Sequence, residues 1–321
     1  MKKLIIALSA LGAALTATAK ADVSVSGSAN VAYIATAGTG TNDEELAVGQ
    51  TVAFAMSTTT ASGMGISGGM TMSQDYDTDG SSTATGGQAV TFTTGGATIV
   101  VGDVEISDTV GSVGGVVNGP LDDASDLSSS VATGFLDDDG MGVELTTAMG
   151  DASLNISFVS NDRVDNHGAL NSSTSGEDSA MSASITMPMG DYSFTIGVAD
   201  SDSGESSSGA SATASIGGGT LTVGYSNQTL IASGNTKLST AGDSEVLGAT
   251  YVMSMDADTT ISVGYQSAKD ADSHSHTQTD LSVERAMGGG ATVYLDIRNL
   301  DGDTVANSDG TAIAFGTSVA F

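Results

Sequence analysis

Apolar and polar residues alternate with a period of two along most of the chain, most clearly at its end. Ile313, Phe315, Val319 and Phe321 are separated there by small or polar residues. Because successive side chains of a β-strand point to opposite faces, the alternation predicts strands with one apolar face. The other face consists of Ser, Thr, Gly and Asn, which is too polar for the packed core of a soluble sandwich. An apolar outside around a polar inside is typical of a membrane-spanning barrel.

Charge and composition narrow the function classes. The chain has 38 Asp and Glu against eight Lys and Arg, which gives a net charge of −30. This excess disfavours nucleic acid, whose binding needs a basic face, and equally disfavours anionic substrates. Without Cys there is no disulfide scaffold, and seven Tyr, seven Phe and no Trp make a poor soluble core for 321 residues. A membrane barrel does not need such a core, since its apolar face contacts lipid and its interior is polar.

The N-terminal residues have the pattern of an export signal. Lys2 and Lys3 precede an apolar stretch at residues 4–18, and Ala19-Lys20-Ala21 provides a small-x-small cleavage site. The apolar stretch is too short to span a bilayer comfortably as a helix. We therefore expect residues 1–21 to be a signal peptide and residues 22–321 to form one barrel domain.

The spacing of turn residues predicts the strand number. About sixteen alternating segments of about ten residues are joined in turn by short Gly/Asp turns and by long polar connections, as in bacterial outer-membrane barrels. Residues 75–86, 103–140 and 160–178 are among the long connections. The prediction is an all-β, transmembrane, antiparallel up-and-down barrel with long external loops and short periplasmic turns. A barrel of this size encloses a water-filled channel.

Soluble proteins with similar composition remain an alternative. A secreted or surface-anchored acidic β-rich adhesin or structural protein without a pore would also show alternation, no Cys and a low pI. A calcium-binding β-solenoid would need a nonapeptide Gly/Asp repeat, which this chain lacks. Neither class requires that all tight turns lie at the same end of the sheet, or that an aromatic C-terminus lies on the apolar face. Both features therefore favour the barrel.

Three segments carry a resemblance to a known family: DVSVSGSANVAYI after the cleavage site, the hairpin TFTTGGATIVVGD, and the closing GTAIAFGTSVAF. They resemble the general bacterial outer-membrane porins of alphaproteobacteria, the Rhodobacter-type family. The resemblance implies a sixteen-stranded homotrimer in the lipid of the outer membrane. The resemblance further implies that the protein is not an enzyme and lets small hydrophilic solutes and ions diffuse passively. The resemblance also implies that Phe321 is an assembly signal and that the third external loop folds into the lumen.

By this resemblance, residues 103–140 are the candidate constriction loop. The predicted constriction and selectivity residues on the loop are Asp103, Glu105, Asp108, Asp122, Asp123 and Asp126. Strand phase adds Arg298, Asp296 and Glu144 as lumen-facing residues. The family sets loop carboxylates against an Arg and Lys cluster, and this chain has too few basic residues to build one. We expect a cation-preferring channel in which Arg298 is a minor opposing charge, although the same carboxylates would also serve simply to solvate a loop.

Metal and catalytic motifs are weak. Asp75, Asp77 and Asp79 match the start of a calcium loop, but the twelfth position is Gly86 where a bidentate Glu is needed. We expect no cofactor, with loosely bound Ca²⁺ left open. His274 and His276 lack Cys partners and are better explained as an exposed polar loop. No serine-elbow motif is present, so we predict no catalytic residues.

Overall fold

The computed structural model describes residues 22–38, 44–77, 80–86, 89–104, 113, 116–117, 140–160, 179–201, 206–230, 242–269, 274–302 and 310–321. Within these ranges no helix is long and apolar enough to cross a membrane. The strands are β1 (Asp22–Gly38), β2 (Glu44–Thr59), β3 (Gly65–Asp77), β4 (Gly80–Gly86), β5 (Ala89–Thr94), β6 (Ala97–Val104), β7 (Gly140–Met149), β8 (Ala152–Ser160), β9 (Ala180–Met189), β10 (Tyr192–Ser201), β11 (Ser206–Ile216), β12 (Gly219–Leu230), β13 (Gly242–Ser254), β14 (Thr259–Lys269), β15 (Ser275–Gly288), β16 (Ala291–Gly302) and β17 (Gly310–Ala320).

The strands form one closed antiparallel sheet. β1 pairs with β2 on one side and with β17 on the other, so the sheet has no free edge at the seam. β4 and β5 both pair with β3, β4 along residues 71–77 and β5 along residues 65–68. They therefore share one strand position, and the barrel has sixteen positions. The predicted barrel and its strand number are confirmed.

One predicted loop is corrected. Residues 75–86 were expected to form a long polar connection, but β3 extends to Asp77 and β4 begins at Gly80. Seven residues of β4 pair with β3 in a regular antiparallel register. The alternation of apolar residues stops there, since strands that continue beyond the membrane do not need an apolar face. The sequence pattern therefore marks where lipid contact ends and not where the strand ends.

Tight glycine turns join strands at one end of the barrel. Gly95 and Gly96 connect β5 to β6 with φ values of 56° and 86°. Two-residue hairpin turns of this kind need positive φ at both positions, which glycine adopts without a steric cost. Gly217 and Gly218 make the equivalent turn between β11 and β12, with φ values of 61° and 85°. The predicted short turns thus lie where the sequence placed them.

The two faces of the sheet differ as the alternation predicts. Large apolar side chains are exposed on the outer face, including Val25 (62%), Phe315 (61%) and Ile196 (49%). Polar side chains occupy the inner face, and Ser157 and Gln266 there are each 1% exposed. An apolar outer surface around a closed barrel is favourable in a membrane, where it contacts lipid and not water.

The last residue closes the seam of the barrel. Phe321 and Gly27 exchange two backbone hydrogen bonds, each with an N–O distance of 2.9 Å. The Phe321 ring lies against Gly27 on the outer face, where a Cβ would be 2.6 Å from Cε2 of the ring. This contact puts the C-terminal aromatic residue on the apolar face, as predicted, and its use as an assembly signal stays a prediction.

Candidate pore lumen and its inner wall

The inner wall contains a buried ion pair on neighbouring strands. Asp280 of β15 and Arg298 of β16 stand directly opposite each other in the strand register. Arg298 donates from Nε to Oδ1 of Asp280 at 3.1 Å, and each side chain is only 2% exposed. The register follows from the tight turn after Gly288 together with a β-bulge between Ala286 and Gly288, which shifts the pairing by one residue. The positive charge of Arg298 is therefore compensated inside the wall.

Asp280 accepts two more hydrogen bonds. Gln278 donates from Nε2 to Oδ2 at 2.8 Å, and the backbone N–H of Val116 donates to the same oxygen at 3.2 Å. A carboxylate can accept about four hydrogen bonds, so the guanidinium, the amide and the backbone together occupy most of its capacity. Burial of a charged group is tolerated when it is paired and hydrogen-bonded in this way.

Part of the connection between β6 and β7 lies inside the barrel. We call Val113, Val116 and Val117 the lumen segment, because all three lie against the inner wall. Gln266 of β14 donates from Nε2 to the carbonyl oxygen of Val113 at 2.8 Å. Val117 is 3% exposed and packs in an apolar cluster. The other members of that cluster are Ala32, Ile34, Tyr294 and Ala314.

Two glycines of the wall make room for the lumen segment. A Cβ on Gly248 would lie 2.8 Å from Cβ of Val113, and one on Gly264 would lie 3.3 Å from Cγ2 of Val116. Real Cβ atoms are almost never as close to another atom as the first of these distances. The wall is therefore shaped to the segment at these two positions, which lie on the neighbouring strands β13 and β14.

Glu144 lies on the opposite side of the lumen. Its strand, β7, is eight strand positions from β15 in a barrel of sixteen, which is half of the circumference. Glu144 Oε1 accepts hydrogen bonds from Asn155 Nδ2 at 3.0 Å and from Thr146 Oγ1 at 3.2 Å. The side chain is half-buried and so remains accessible from the lumen. The strands that follow contribute neutral hydroxyl pairs, such as Thr186 and Thr195 at 2.9 Å.

Basic residues are scarce on this inner surface. Among the described residues, Arg298 is the one Lys or Arg that faces inward. Arg285 faces outward and pairs with Asp256 at 3.4 Å, with both side chains about half exposed. Lys269 is also exposed on the outer face, opposite Glu245 in the register. The wall of the described lumen therefore carries no uncompensated Lys or Arg.

The predicted site residues have different outcomes. Asp296, Arg298 and Glu144 lie on the inner face, as strand phase predicts. Asp296 is 0% exposed, so it does not contact the open lumen. Arg298 is paired with Asp280, and its role as a minor opposing charge in the pore stays a prediction. Asp103 is the residue before the last one of β6, and its side chain lies outside what the structure describes. Glu105, Asp108, Asp122, Asp123 and Asp126 lie outside the described residues, so their selectivity role stays a prediction.

The calcium prediction is not tested either. Asp75 and Asp77 belong to β3, but their side chains, like the whole of Asp79, lie outside what the structure describes. Among the described residues no group of three or more His, Asp or Glu could hold a metal ion. Loose Ca²⁺ binding by the three aspartates therefore stays a prediction.

Sequence reasoning missed Asp280, Gln266 and Gln278. A signal for Asp280 was available, since the turn at residues 288–290 and the inward phase of Arg298 together put Asp280 opposite the arginine. No comparable signal exists for Gln266 or for the segment that it binds. Their contact joins residues 153 positions apart and depends on closure of the barrel.

Comparisons with known proteins agree with this architecture. The family model described as Gram-negative porin matches residues 7–305. A porin refined at 1.8 Å resolution is similar in structure, with a TM-score of 0.65, 18% identity and coverage of 94% of this chain and 100% of that one. A variant of the Rh. blastica porin has a TM-score of 0.59 and 16% identity, with the same coverage. The trimer form of OmpT from Vibrio cholerae has a TM-score of 0.68 and 12% identity, and covers 94% and 99% of the two chains.

No curated protein matches the sequence. The family match nevertheless covers most of the chain, and the solved structures share its barrel over almost their full length. The predicted resemblance to general bacterial porins is confirmed, and a soluble adhesin is not supported, since its surface would not expose large apolar side chains around a closed barrel. The chain belongs to the Gram-negative porin family, whose members are channels of the outer membrane.

Proposed function

We propose that this porin is a passive, non-enzymatic channel for small hydrophilic solutes and ions, and that it prefers cations. The observation that carries the proposal is the charge of the inner wall. Arg298 is buried and compensated by Asp280, while Glu144 faces the lumen from the opposite side. A water-filled pore lined with carboxylates concentrates cations and depletes anions.

Salt concentration separates two kinds of carboxylate. The Debye length is about 10 Å at 0.1 M and about 3 Å at 1 M, so charges at the rim of a wide pore are screened at high salt. Carboxylates at a constriction act on ions at contact distance and remain effective. Asp122, Asp123 and Asp126 of the candidate constriction loop are the residues that we expect to discriminate under those conditions.

The experiment is the reversal potential of single channels in a planar bilayer with a KCl gradient, at 0.1 M and 1 M mean salt. The wild-type channel should prefer K⁺ at both concentrations. The variant Asp122→Asn/Asp123→Asn/Asp126→Asn should move the potential toward zero even at 1 M. The control Asp151→Asn/Asp191→Asn changes acidic residues in short turns and should have no effect at high salt. An anion-preferring wild-type channel would contradict the proposal.

We also propose that the channel is a homotrimer. OmpT from Vibrio cholerae, which has a similar barrel, is described in a trimer form. Sedimentation in a mild detergent should show a particle of three barrels. A single species at the mass of one barrel would count against the trimer.

Two sequence predictions about export belong to the same proposal. Residues 1–21 should be removed as a signal peptide, so Edman sequencing of the outer-membrane protein should begin at Asp22. Phe321 should act as an assembly signal. Phe321→Ala retains the backbone hydrogen bonds to Gly27, so it should refold in detergent at nearly the wild-type yield yet reach the outer membrane in smaller amounts. Equal amounts in the membrane would remove the signal role.

A further inference from the structure

We infer that Asp280 is the positioning residue that holds the lumen segment against the pore wall, and that Arg298 acts through Asp280 and not on permeating ions. The three members of the segment are Val113, Val116 and Val117. The inference deepens the proposed function, because it assigns the one inward-facing arginine of the described wall to pore shape and not to selectivity.

The hydrogen bonds converge on the segment from two strands. The Asp280 carboxylate on β15 accepts from the backbone N–H of Val116 at 3.2 Å, and Gln266 on β14 donates to the carbonyl oxygen of Val113 at 2.8 Å. One acceptor and one donor of the wall thus bind the backbone of the segment three residues apart. Backbone recognition of this kind fixes where the segment lies without requiring particular side chains.

Arg298 and Gln278 orient the carboxylate for this contact. Arg298 Nε binds Oδ1, and Gln278 Nε2 binds Oδ2, the oxygen that also accepts from Val116. As a carboxylate, Asp280 has two oxygens available as acceptors, and each is held by one of these side chains. Because both side chains of the ion pair are 2% exposed, an ion in the lumen does not touch either charge.

The shape of the wall supports the same position. Gly248 and Gly264 lack the Cβ atoms that would contact Val113 and Val116, and Val117 is buried in the apolar cluster between β16, β17 and β1. Hydrogen bonds and the two glycine positions therefore act on Val113 and Val116, and the apolar cluster holds Val117. Loss of the Asp280 acceptor should loosen the segment and leave the surrounding strand pairs in place.

Thiol labelling tests the position directly. The chain contains no Cys, so Val117→Cys introduces a single thiol at a site that is 3% exposed. A small water-soluble methanethiosulfonate should label V117C slowly in the otherwise native barrel. In the background Asp280→Leu/Arg298→Leu, which removes the acceptor together with its cation, labelling should be at least tenfold faster. Only barrels with the folded gel mobility are measured.

Matched controls separate the role of Asp280 from a general effect of losing an ion pair. Asp256→Leu/Arg285→Leu removes the exposed Asp–Arg pair near the short turns and should leave the labelling rate unchanged. Asp280→Asn/Arg298→Gln removes both charges but keeps an acceptor at position 280, so labelling should return toward the slow rate. Gly248→Leu should speed labelling, because a side chain at this position would meet only Val113 and would not touch the ion pair, and it provides a test if the Leu pair fails to fold.

Single-channel recording supplies a second readout, which rests on the proposed pore function. Removing Asp280 and Arg298 together leaves the net charge unchanged, so the reversal potential should stay constant while open-channel noise increases. Labelling that is equally slow in the Leu pair and in the native barrel would overturn the inference. Equally fast labelling in Asp280→Leu/Arg298→Leu and in Asp280→Asn/Arg298→Gln would also overturn it. A shifted reversal potential with an unchanged labelling rate would overturn it as well. A barrel that does not conduct would overturn the proposed function, and the labelling result would still decide the inference.

Discussion

Tyr294 of β16 reaches across β17 and donates a hydrogen bond from its hydroxyl to Oδ1 of Asn30 on β1, at 2.8 Å. The ring passes over Gly316, the residue opposite Tyr294 on β17. Tyr294 is 4% exposed and is part of the cluster that buries Val117. One side chain therefore ties together the three strands at the seam of the barrel, and it does so only because the middle strand has a glycine beneath the ring.

Replacement of Gly316 should weaken this seam. A Cβ at position 316 would meet the Tyr294 ring and would lie 2.8 Å from the carbonyl oxygen of Val31, which belongs to the backbone and cannot rotate away. We expect Gly316→Ala to lower the free energy of unfolding by about 1–3 kcal/mol, the usual cost of overpacking. Urea denaturation in detergent micelles measures it. The control is Ser318→Ala on the same strand, which should change the free energy of unfolding little. Gly63→Ala is less suitable as a control, because Gly63 has a positive φ.

Glu144 should contribute to cation preference. Its carboxylate faces the lumen across from the wall that holds Asp280, and no uncompensated Lys or Arg of the described wall opposes it. Glu144→Gln keeps the shape and the hydrogen bond from Asn155, so the reversal potential at 0.1 M KCl should fall toward zero without a change in folding. Glu245→Gln, on the outer face opposite Lys269, is the matched control. An identical shift of the reversal potential in both variants would mean that Glu144 contributes no more to cation preference than a carboxylate on the outer face.

Arg298 should matter more for stability when it is removed alone than when its partner is removed with it. Arg298→Met leaves the Asp280 carboxylate buried without its cation, and breaking one side of a buried pair costs about 3–5 kcal/mol. Asp280→Leu/Arg298→Leu removes both members of the pair and should cost clearly less. Equilibrium unfolding of both variants in the same detergent decides the order, and a double variant that is less stable than Arg298→Met would refute the prediction.

The pKa of Asp256, in the turn between β13 and β14, should lie below the ordinary range for aspartate. The backbone N–H of Asp258 donates to the Asp256 carboxylate at 2.8 Å, and this bond, followed by the Thr259 hydroxyl and the charge of Arg285, lowers the pKa of Asp256. Because the folded-state pKa lies below the unfolded one, the turn is stabilised above the unfolded pKa. That stabilisation is lost as pH falls through the lowered pKa.

Amide chemical shifts provide the measurement for this turn. The Asp258 N–H signal in micelles should titrate with a midpoint below the ordinary aspartate value, and Thr259→Ala should raise that midpoint because one donor is lost. A wild-type midpoint at the ordinary value would show that the bond from Asp258 does not persist in solution.

Much of the fold was readable from local pattern. The alternation predicts which side chains face lipid, and the Gly95-Gly96 and Gly217-Gly218 turns predict where hairpins reverse, since both depend on residues next to each other in the chain. The lumen-facing phase of Arg298 followed in the same way. The hairpin of β3 and β4 is not predictable in this way, because strands that extend beyond the lipid remain paired without an apolar face and so lack the alternation.

The functional surface needed the tertiary structure. Sequence alone determined a porin-like barrel with a polar interior, few basic residues and an inward-facing Arg298. Whether that arginine meets permeating ions depends on Asp280 and on Val116, which is 164 residues away from Asp280 in the chain. Closure of the barrel brings the segment onto the wall, and only then are the two charges shielded from water. Strand periodicity is a local property of the chain, whereas burial of a charge depends on every element that packs around it.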